Sequence, residues 1–176
     1  MSHALVKGLT VVFCTVVGVT ALAGCAQSPT DGKTIQMQHK RAKAEIEGLY
    51  EKALDIVGDG WNASESEWSG CGRSGIAREA DSWARFNQRF GPLDASPQEI
   101  AEQVAEGWSR MGYSVTVVSD DSLTPPRKVV SFPAYLTGTT EDGFGAVFTI
   151  GESYADFRGR SRCVPSDPDL EGQDPS

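Results

Sequence analysis

Histidine is almost missing from this chain of 176 residues, which has only His3 and His39. His3 lies in an N-terminal segment that reads as removable, which leaves one histidine for the folded part. A single histidine cannot build a multi-His metal site. As a general base, His39 would need an activated nucleophile beside it, and its place in the polar first turns of a predicted helix reads as solvated. Ser-His-Asp and Cys-His chemistry are set aside on this ground. Cysteine is scarce as well, with four in the chain, none of them spaced C-x-x-C, so thiol redox and zinc motifs find no support. Positive charge is in deficit, with 16 Lys and Arg against 24 Asp and Glu. That balance disfavours nucleic acid, whose binding depends on cations neutralising phosphates, and it supplies no attraction to anionic lipid headgroups.

Cofactor and nucleophile motifs are also missing. The run Gly70-Cys71-Gly72-Arg73-Ser74-Gly75 has glycines but lacks the Lys-Ser/Thr pair and the preceding strand of a phosphate loop. Gly151-Glu152-Ser153-Tyr154-Ala155 lacks the last glycine of a nucleophile elbow and falls between two predicted strands, which makes it a hairpin. No cofactor is expected, and no catalytic set stands out.

What the chain does have is a distinctive beginning. One cation, Lys7, precedes an uncharged apolar stretch from Gly8 to Ala23, the layout of a secretory signal peptide. The stretch falls short of the roughly 20 apolar residues of a membrane helix, and no second apolar span follows. The tetrad Leu22-Ala23-Gly24-Cys25 resembles the bacterial lipobox. That resemblance implies cleavage after Gly24 and a diacylglyceryl group on the Cys25 thiol, so residues 1–24 are a lipoprotein signal peptide. Two acyl chains hold a protein firmly, since each buried CH₂ adds about 0.8 kcal/mol. The expected location is the extracytoplasmic face of the cell membrane, with contact to the membrane made through the lipid. Loss of Lys7 leaves a mature net charge of −9 in place of −8.

With Cys14 removed and Cys25 lipidated, Cys71 and Cys163 are left in an oxidising exterior, where a structural disulfide is expected. Its loop of 91 intervening residues gives about 4 to 5 kcal/mol in the chain-entropy account, as an upper figure.

Residues 25–33 read as a polar tether, residues 34–165 as a single domain, and residues 166–176 as a disordered acidic tail. Ile46, Leu49, Tyr50, Ala53, Leu54 and Val57 form one helical stripe that Gly58 ends. Asp59 to Gly75 reads as a loop pinned by Trp61, Trp68 and Cys71. In 76–90 the residues Ile76, Ala80, Trp83, Phe86 and Phe90 suit a helix, while Ser82 to Phe90 also suit a short strand, the reading preferred for the second half. Ser96-Pro97-Gln98-Glu99 carries the start signals of a second helix, with Ile100, Val104, Trp108 and Met111 on its buried face and Gly112 at its end. Alternation then predicts strands at Tyr113–Val117, Lys128–Leu136, Phe144–Ile150 and Tyr154–Val164. Pro133 points to an edge or a bulge. The predicted fold is α+β, a two-layer sandwich of about four mostly antiparallel strands with two helices on one face.

Trp68 and Cys71 after the first helix, with Gly159-x-Ser161-x-Cys163-Val164 near the C-terminus, resemble small actinobacterial lipoproteins of the LppA-like kind. The resemblance implies a lipid-anchored sandwich with a cysteine pair, and it brings no activity with it. Candidate surfaces are Trp61 and Trp68 as an aromatic patch and Arg158, Arg160 and Arg162 as a cationic stripe along one strand. The expected role is a non-enzymatic binding or accessory module for an envelope protein or a cell-wall glycan, with a hydrolase using Asp/Glu acid-base chemistry as the alternative.

Overall fold

The computed structural model describes residues 29–62, 65–71, 80–122 and 124–167. The predicted signal peptide with Cys14, the lipidation candidate Cys25, the glycines at 72 and 75, and the stretch 168–176 lie outside the described residues. The elements run α1 (Pro29–Val57), β1 (Glu65–Gly70), β2 (Ala80–Phe90), α2 (Pro97–Arg110), β3 (Thr116–Asp120), β4 (Arg127–Phe132), β5 (Gly145–Gly151), β6 (Tyr154–Arg160) and β7 (Val164–Pro165). The fold is α+β, with two helices laid on one antiparallel sheet.

The helices form where the apolar stripes require them. In α1, Ala42, Ile46, Leu49, Tyr50, Ala53 and Val57 are buried, and Gly58, with φ of +82°, ends the helix by returning its N–H to the Leu54 carbonyl at 2.8 Å. The helix starts earlier than the sequence suggests. Residues 29–33, expected to be tether, already belong to α1, and only residues 26–28 separate it from Cys25. In α2, the Ser96 hydroxyl accepts the Glu99 N–H at 3.3 Å, and Pro97 occupies the first turn. Ile100, Val104 and Trp108 are buried as the periodicity requires, but Met111 is exposed. It sits past the last helical turn as the C-cap, with its terminal methyl over Gly48 of α1.

The sheet has seven strands in place of about four, in the order β1-β2-β6-β5-β4-β3, with β7 also pairing with β2. Two of the unforeseen strands have simple causes. β1, with the sequence Glu-Ser-Glu-Trp-Ser-Gly, is an edge strand with one large apolar residue, so its polarity reads as loop. β7 has two residues, too few for any periodicity. β3 to β6 form an antiparallel meander. Gly151 pairs with Tyr154, so Glu152 and Ser153 make the two-residue turn. Pro133 lies just past the end of β4, which is an interior strand between β3 and β5, so the edge reading of that proline is corrected.

Both helices cover the same side of the sheet. There Val130, Phe148, Ile150, Ala155 and Phe157 meet Ile46, Leu49, Val104 and Trp108 in one buried cluster. Trp108 donates its indole N–H to the Leu49 carbonyl at 3.0 Å, tying α2 to α1 inside that cluster. Val117 points to this side too, but β3 is the last strand and leaves it partly exposed. The opposite side of the sheet, called here the far face, carries no helix among the described residues.

Candidate functional site

Pairing register decides which side chains reach the far face, because alternate residues of a strand point to opposite sides. Tyr154, Asp156, Arg158 and Arg160 of β6 align with Phe90, Gln88, Phe86 and Ala84 of β2 on one flank. On the other flank they align with Gly151, Thr149, Val147 and Gly145 of β5. Beyond β5 come Val129 and Ser131 of β4, then Val118 and Thr116 of β3. The segment after β4 reaches over this end of the face, where the Tyr135 hydroxyl donates to Asp120 at 2.7 Å.

At the centre lies Asp156, 3% exposed. Its Oδ2 accepts the Tyr154 hydroxyl, which in turn accepts from Gln88 Nε2 at 3.2 Å. Its Oδ1 forms an ion pair with Arg158 Nε at 3.5 Å. Burial pushes the Asp156 carboxyl above the usual carboxylate range, against the pull of the Tyr154 hydroxyl, the guanidinium groups of Arg158 and Arg127, and the Thr149 hydroxyl. Asp120 is displaced the other way, held below its ordinary value by hydrogen bonds from Ser122 and Tyr135. Burial, and then the hydrogen bond to Asp156, raise the Tyr154 phenol.

Arg127, Tyr135, Val147, Thr149, Asp156 and Arg158 enclose a recess of about 300 Å³ on this face. Arg127 rests its guanidinium 4.3 Å from the Tyr154 ring centre, and Arg158 lies 5.1 Å from that of Phe86. A second, shallower depression on the other side of Tyr135 is lined by Thr116, Val118, Asp120 and Ser122. The arrangement offers hydrogen-bond donors from two cations around one buried acceptor. It can hold a polar or anionic group, and among the described residues no cluster of three or more His, Cys, Asp or Glu is placed to grip a metal.

The candidates read from the sequence separate in space. Arg158 and Arg160 do share the far face, with Arg160 donating to the Ser69 hydroxyl at 3.1 Å. Arg162 does not join them, because β6 ends at Arg160 and the chain turns to the helix side. There Arg162 pairs with Glu45 of α1 at 2.8 Å and with Asp142 at 3.0 Å. The aromatic patch is also corrected. Trp61 packs edge-on against Tyr50 and donates to the Gly58 carbonyl, while Trp68 lies against His39 and Trp83. Both are half-buried parts of the helix-side packing. His39 is itself buried, not solvated, because the unforeseen strand β1 lays Trp68 against its ring, 4.6 Å between centres.

Cys71 and Cys163 form the expected disulfide, with Cα atoms 5.9 Å apart. The bridge ties the end of β1 to the segment between β6 and β7, and Gly143, at φ of +87°, leaves room for it, since a Cβ there would sit 2.7 Å from Cys163 Sγ. The acidic tail expected from Ser166 onward is described only to Asp167, which is buried. Sequence reasoning missed Asp156, Arg127 and Tyr135 as a group. The one available signal was an aspartate in the middle of an apolar alternating strand.

No protein-family model matches the chain, and no curated protein matches it. Among the described residues no helix is long and apolar enough to cross a membrane. A solved structure similar to it is a DUF4853 family protein from Actinomyces odontolyticus, with a TM-score of 0.49 and 16% sequence identity, covering 81% of this chain and 76% of that one.

Proposed function

We propose that this chain is a non-enzymatic lipoprotein of the cell envelope, held on the extracytoplasmic face of the membrane by lipid on Cys25, whose far sheet face receives an envelope protein or a cell-wall glycan. The observation that carries the binding surface is the recess of about 300 Å³ on the far face, with the guanidinium groups of Arg127 and Arg158 among its lining. The lipobox supports the address. The helix α1 begins four positions after Cys25, so a lipid on that thiol would hold the domain close to the membrane.

Two measurements test the reading. Cys25→Ala should move the protein from the membrane fraction to the soluble one, and retention in the membrane would reject the lipid anchor. Chemical crosslinking in intact cells should capture a reproducible partner with the native chain and lose it when Arg127 and Arg158 are both changed to Glu. Equal capture by both proteins would reject the far face as the binding surface.

A second reading, an envelope hydrolase working through Asp acid-base chemistry, is favoured by one observation. Asp156 and Asp120 flank the same Tyr135 side chain, and their surroundings displace their pKa values in opposite directions, a pattern found where one carboxyl acts as acid and another as base. Hydrolysis of cell-wall glycan by the purified protein, abolished by Asp156→Asn, would establish it. Equal background turnover by both proteins would dismiss it.

A further inference from the structure

We infer that the outer edge of β3 is a docking site for an extended, basic segment of a partner protein, which adds to the sheet as a further strand and sets an apolar side chain beside Leu136. The inference goes beyond the far-face reading and does not rest on the recess.

Three observations converge on this edge. The first is that it is open and unguarded. β3 ends the sheet, and among the described residues no strand pairs with its outer side, which leaves a row of backbone N–H and C=O groups for an incoming chain. Edge strands are commonly guarded by charge or proline. The opposite edge, β1, carries Glu65 and Glu67, whereas the centre of β3, Val117-Val118-Ser119, is uncharged and Val117 is exposed. The second is Leu136. It takes the third position of the turn 134–137, which closes with the Thr137 N–H on the Ala134 carbonyl at 3.0 Å, and its φ is +67°. Glycine or asparagine fits such a position without strain. The chain places leucine there and leaves it 86% exposed, so burial within the domain does not account for the side chain. The third is a depression of about 580 Å³ bounded by this turn and β3, with Val118, Ala134, Tyr135 and Leu136 in its lining. The Tyr135 hydroxyl, donating to Asp120 at 2.7 Å, pins the turn in place. Alternate side chains of an added strand point to this face, so one of them enters the depression.

Charge selects the occupant. From 113 to 126 the only charged side chains are Asp120 and Asp121, and from 133 to 140 there are none. Hydrogen bonds from Ser122 and Tyr135 hold the Asp120 carboxyl below its ordinary pKa, so it stays anionic at neutral pH. Arg127, opposite Asp120 in the register, rests on the Tyr154 ring. A second copy of β3 would bring two more aspartates and no cation to this edge, in a chain whose net charge is already −8. A foreign strand with Lys or Arg near its end meets the aspartates while its backbone completes the ladder.

The test is fluorescence anisotropy of the purified full chain with a labelled probe peptide, Lys-Thr-Val-Thr-Val-Thr-Lys, in which both lysines share the face of the valines. One control has Glu at both ends. The other is the probe N-methylated at an adjacent central Val-Thr pair, which keeps the side chains but removes a ladder donor in either register. The probe should bind at least about tenfold more tightly than each control. Binding should also slow amide hydrogen exchange within Thr116–Asp120 and leave β1 unchanged. Leu136→Gly should weaken the probe by a similar factor with a Tm equal to or above that of the native chain, since glycine adopts the positive φ freely. Asp121→Lys, at an exposed turn position, serves as a second variant should Leu136→Gly fold poorly, and should also weaken the probe. Equal binding of the three peptides, protection outside β3, or variants that bind the probe as the native chain does would overturn the inference. A free chain that sediments as a dimer with its β3 amides already protected would assign the edge to a second copy and overturn it as well.

Discussion

The hydroxyl of Ser161 accepts the backbone N–H of Trp83 at 2.8 Å, and the Ser161 N–H goes back to the Trp83 carbonyl at 2.9 Å. This pair continues the β2·β6 ladder one step past Arg160, where β6 ends, with a side-chain oxygen standing in for a backbone carbonyl. Ser161 is fully buried, so no water can substitute. Ser161→Ala should therefore cost about 1 to 3 kcal/mol, the penalty for a buried donor left without a partner. Chemical denaturation that gives less than about 0.5 kcal/mol would mean that the Trp83 N–H finds another acceptor.

The disulfide should matter to stability and not to assembly. Cys71 and Cys163 close a loop across nearly the whole sheet, and removal of a native bridge of this kind costs about 2 to 5 kcal/mol. For a domain of this size that corresponds to a fall in Tm of roughly 6 to 15 °C. Thermal melts with and without reductant, repeated on Cys163→Ser, check it. An unchanged Tm in the native chain under reductant would mean that the two thiols are unpaired.

Two glycines make a contrast in which one substitution is costly and the other tolerated. A Cβ on Gly159 would lie 2.9 Å from both Ile46 of α1 and the Phe157 ring, groups fixed in the core. Gly159→Ala should lose about 1 to 3 kcal/mol by overpacking. A Cβ on Gly107 would meet the Lys52 stem at 2.8 Å, but that side chain is partly exposed and can swing aside. Removing a helical glycine also gains roughly 0.5 to 1 kcal/mol, so Gly107→Ala should be close to neutral. Denaturation midpoints of the two variants, measured side by side, test the difference.

Asp156 carries a pH signature of definite sign. Its folded pKa is raised by burial above the unfolded value of about 3.9, so the native state binds more protons than the unfolded one between those two values. Stability therefore falls as pH rises through that window, and the loss is complete above the folded pKa. Asp120 and Asp142 are shifted downward and act in the opposite direction, but they are common to the native chain and to Asp156→Asn. The Tm of Asp156→Asn should thus gain on that of the native chain as pH is raised from about 4 to 7. Parallel curves would show that the carboxylate is not held in a desolvated site.

The helices were legible in the sequence because each carries its own evidence: the stripe through Ile46, Leu49 and Ala53, the Ser96 cap, and glycines just past both ends. The meander was legible for the same reason, since Phe148 and Ile150 alternate in strict register. β1 was not, because an edge strand needs one apolar residue and Trp68 alone sets no period. Arg162 was placed on the wrong side because alternation holds only while a strand lasts, and β6 stops two residues short of it. The recess was illegible for a different reason. Arg127, Tyr135, Thr149 and Asp156 come from four separate segments, and the register that aligns them on one face is a property of pairing, which local sequence does not encode.

The most direct test of the far face as the binding surface is photocrosslinking in intact cells from single positions. One benzophenone amino acid is placed at Phe90, which is exposed on the far face beside Tyr154, and another at Gln103, exposed on α2 on the helix side. A discrete crosslinked species from Phe90 that is missing from Gln103 is the predicted result. Crosslinking from Gln103 but not from Phe90 would contradict the account and move the binding surface to the helices.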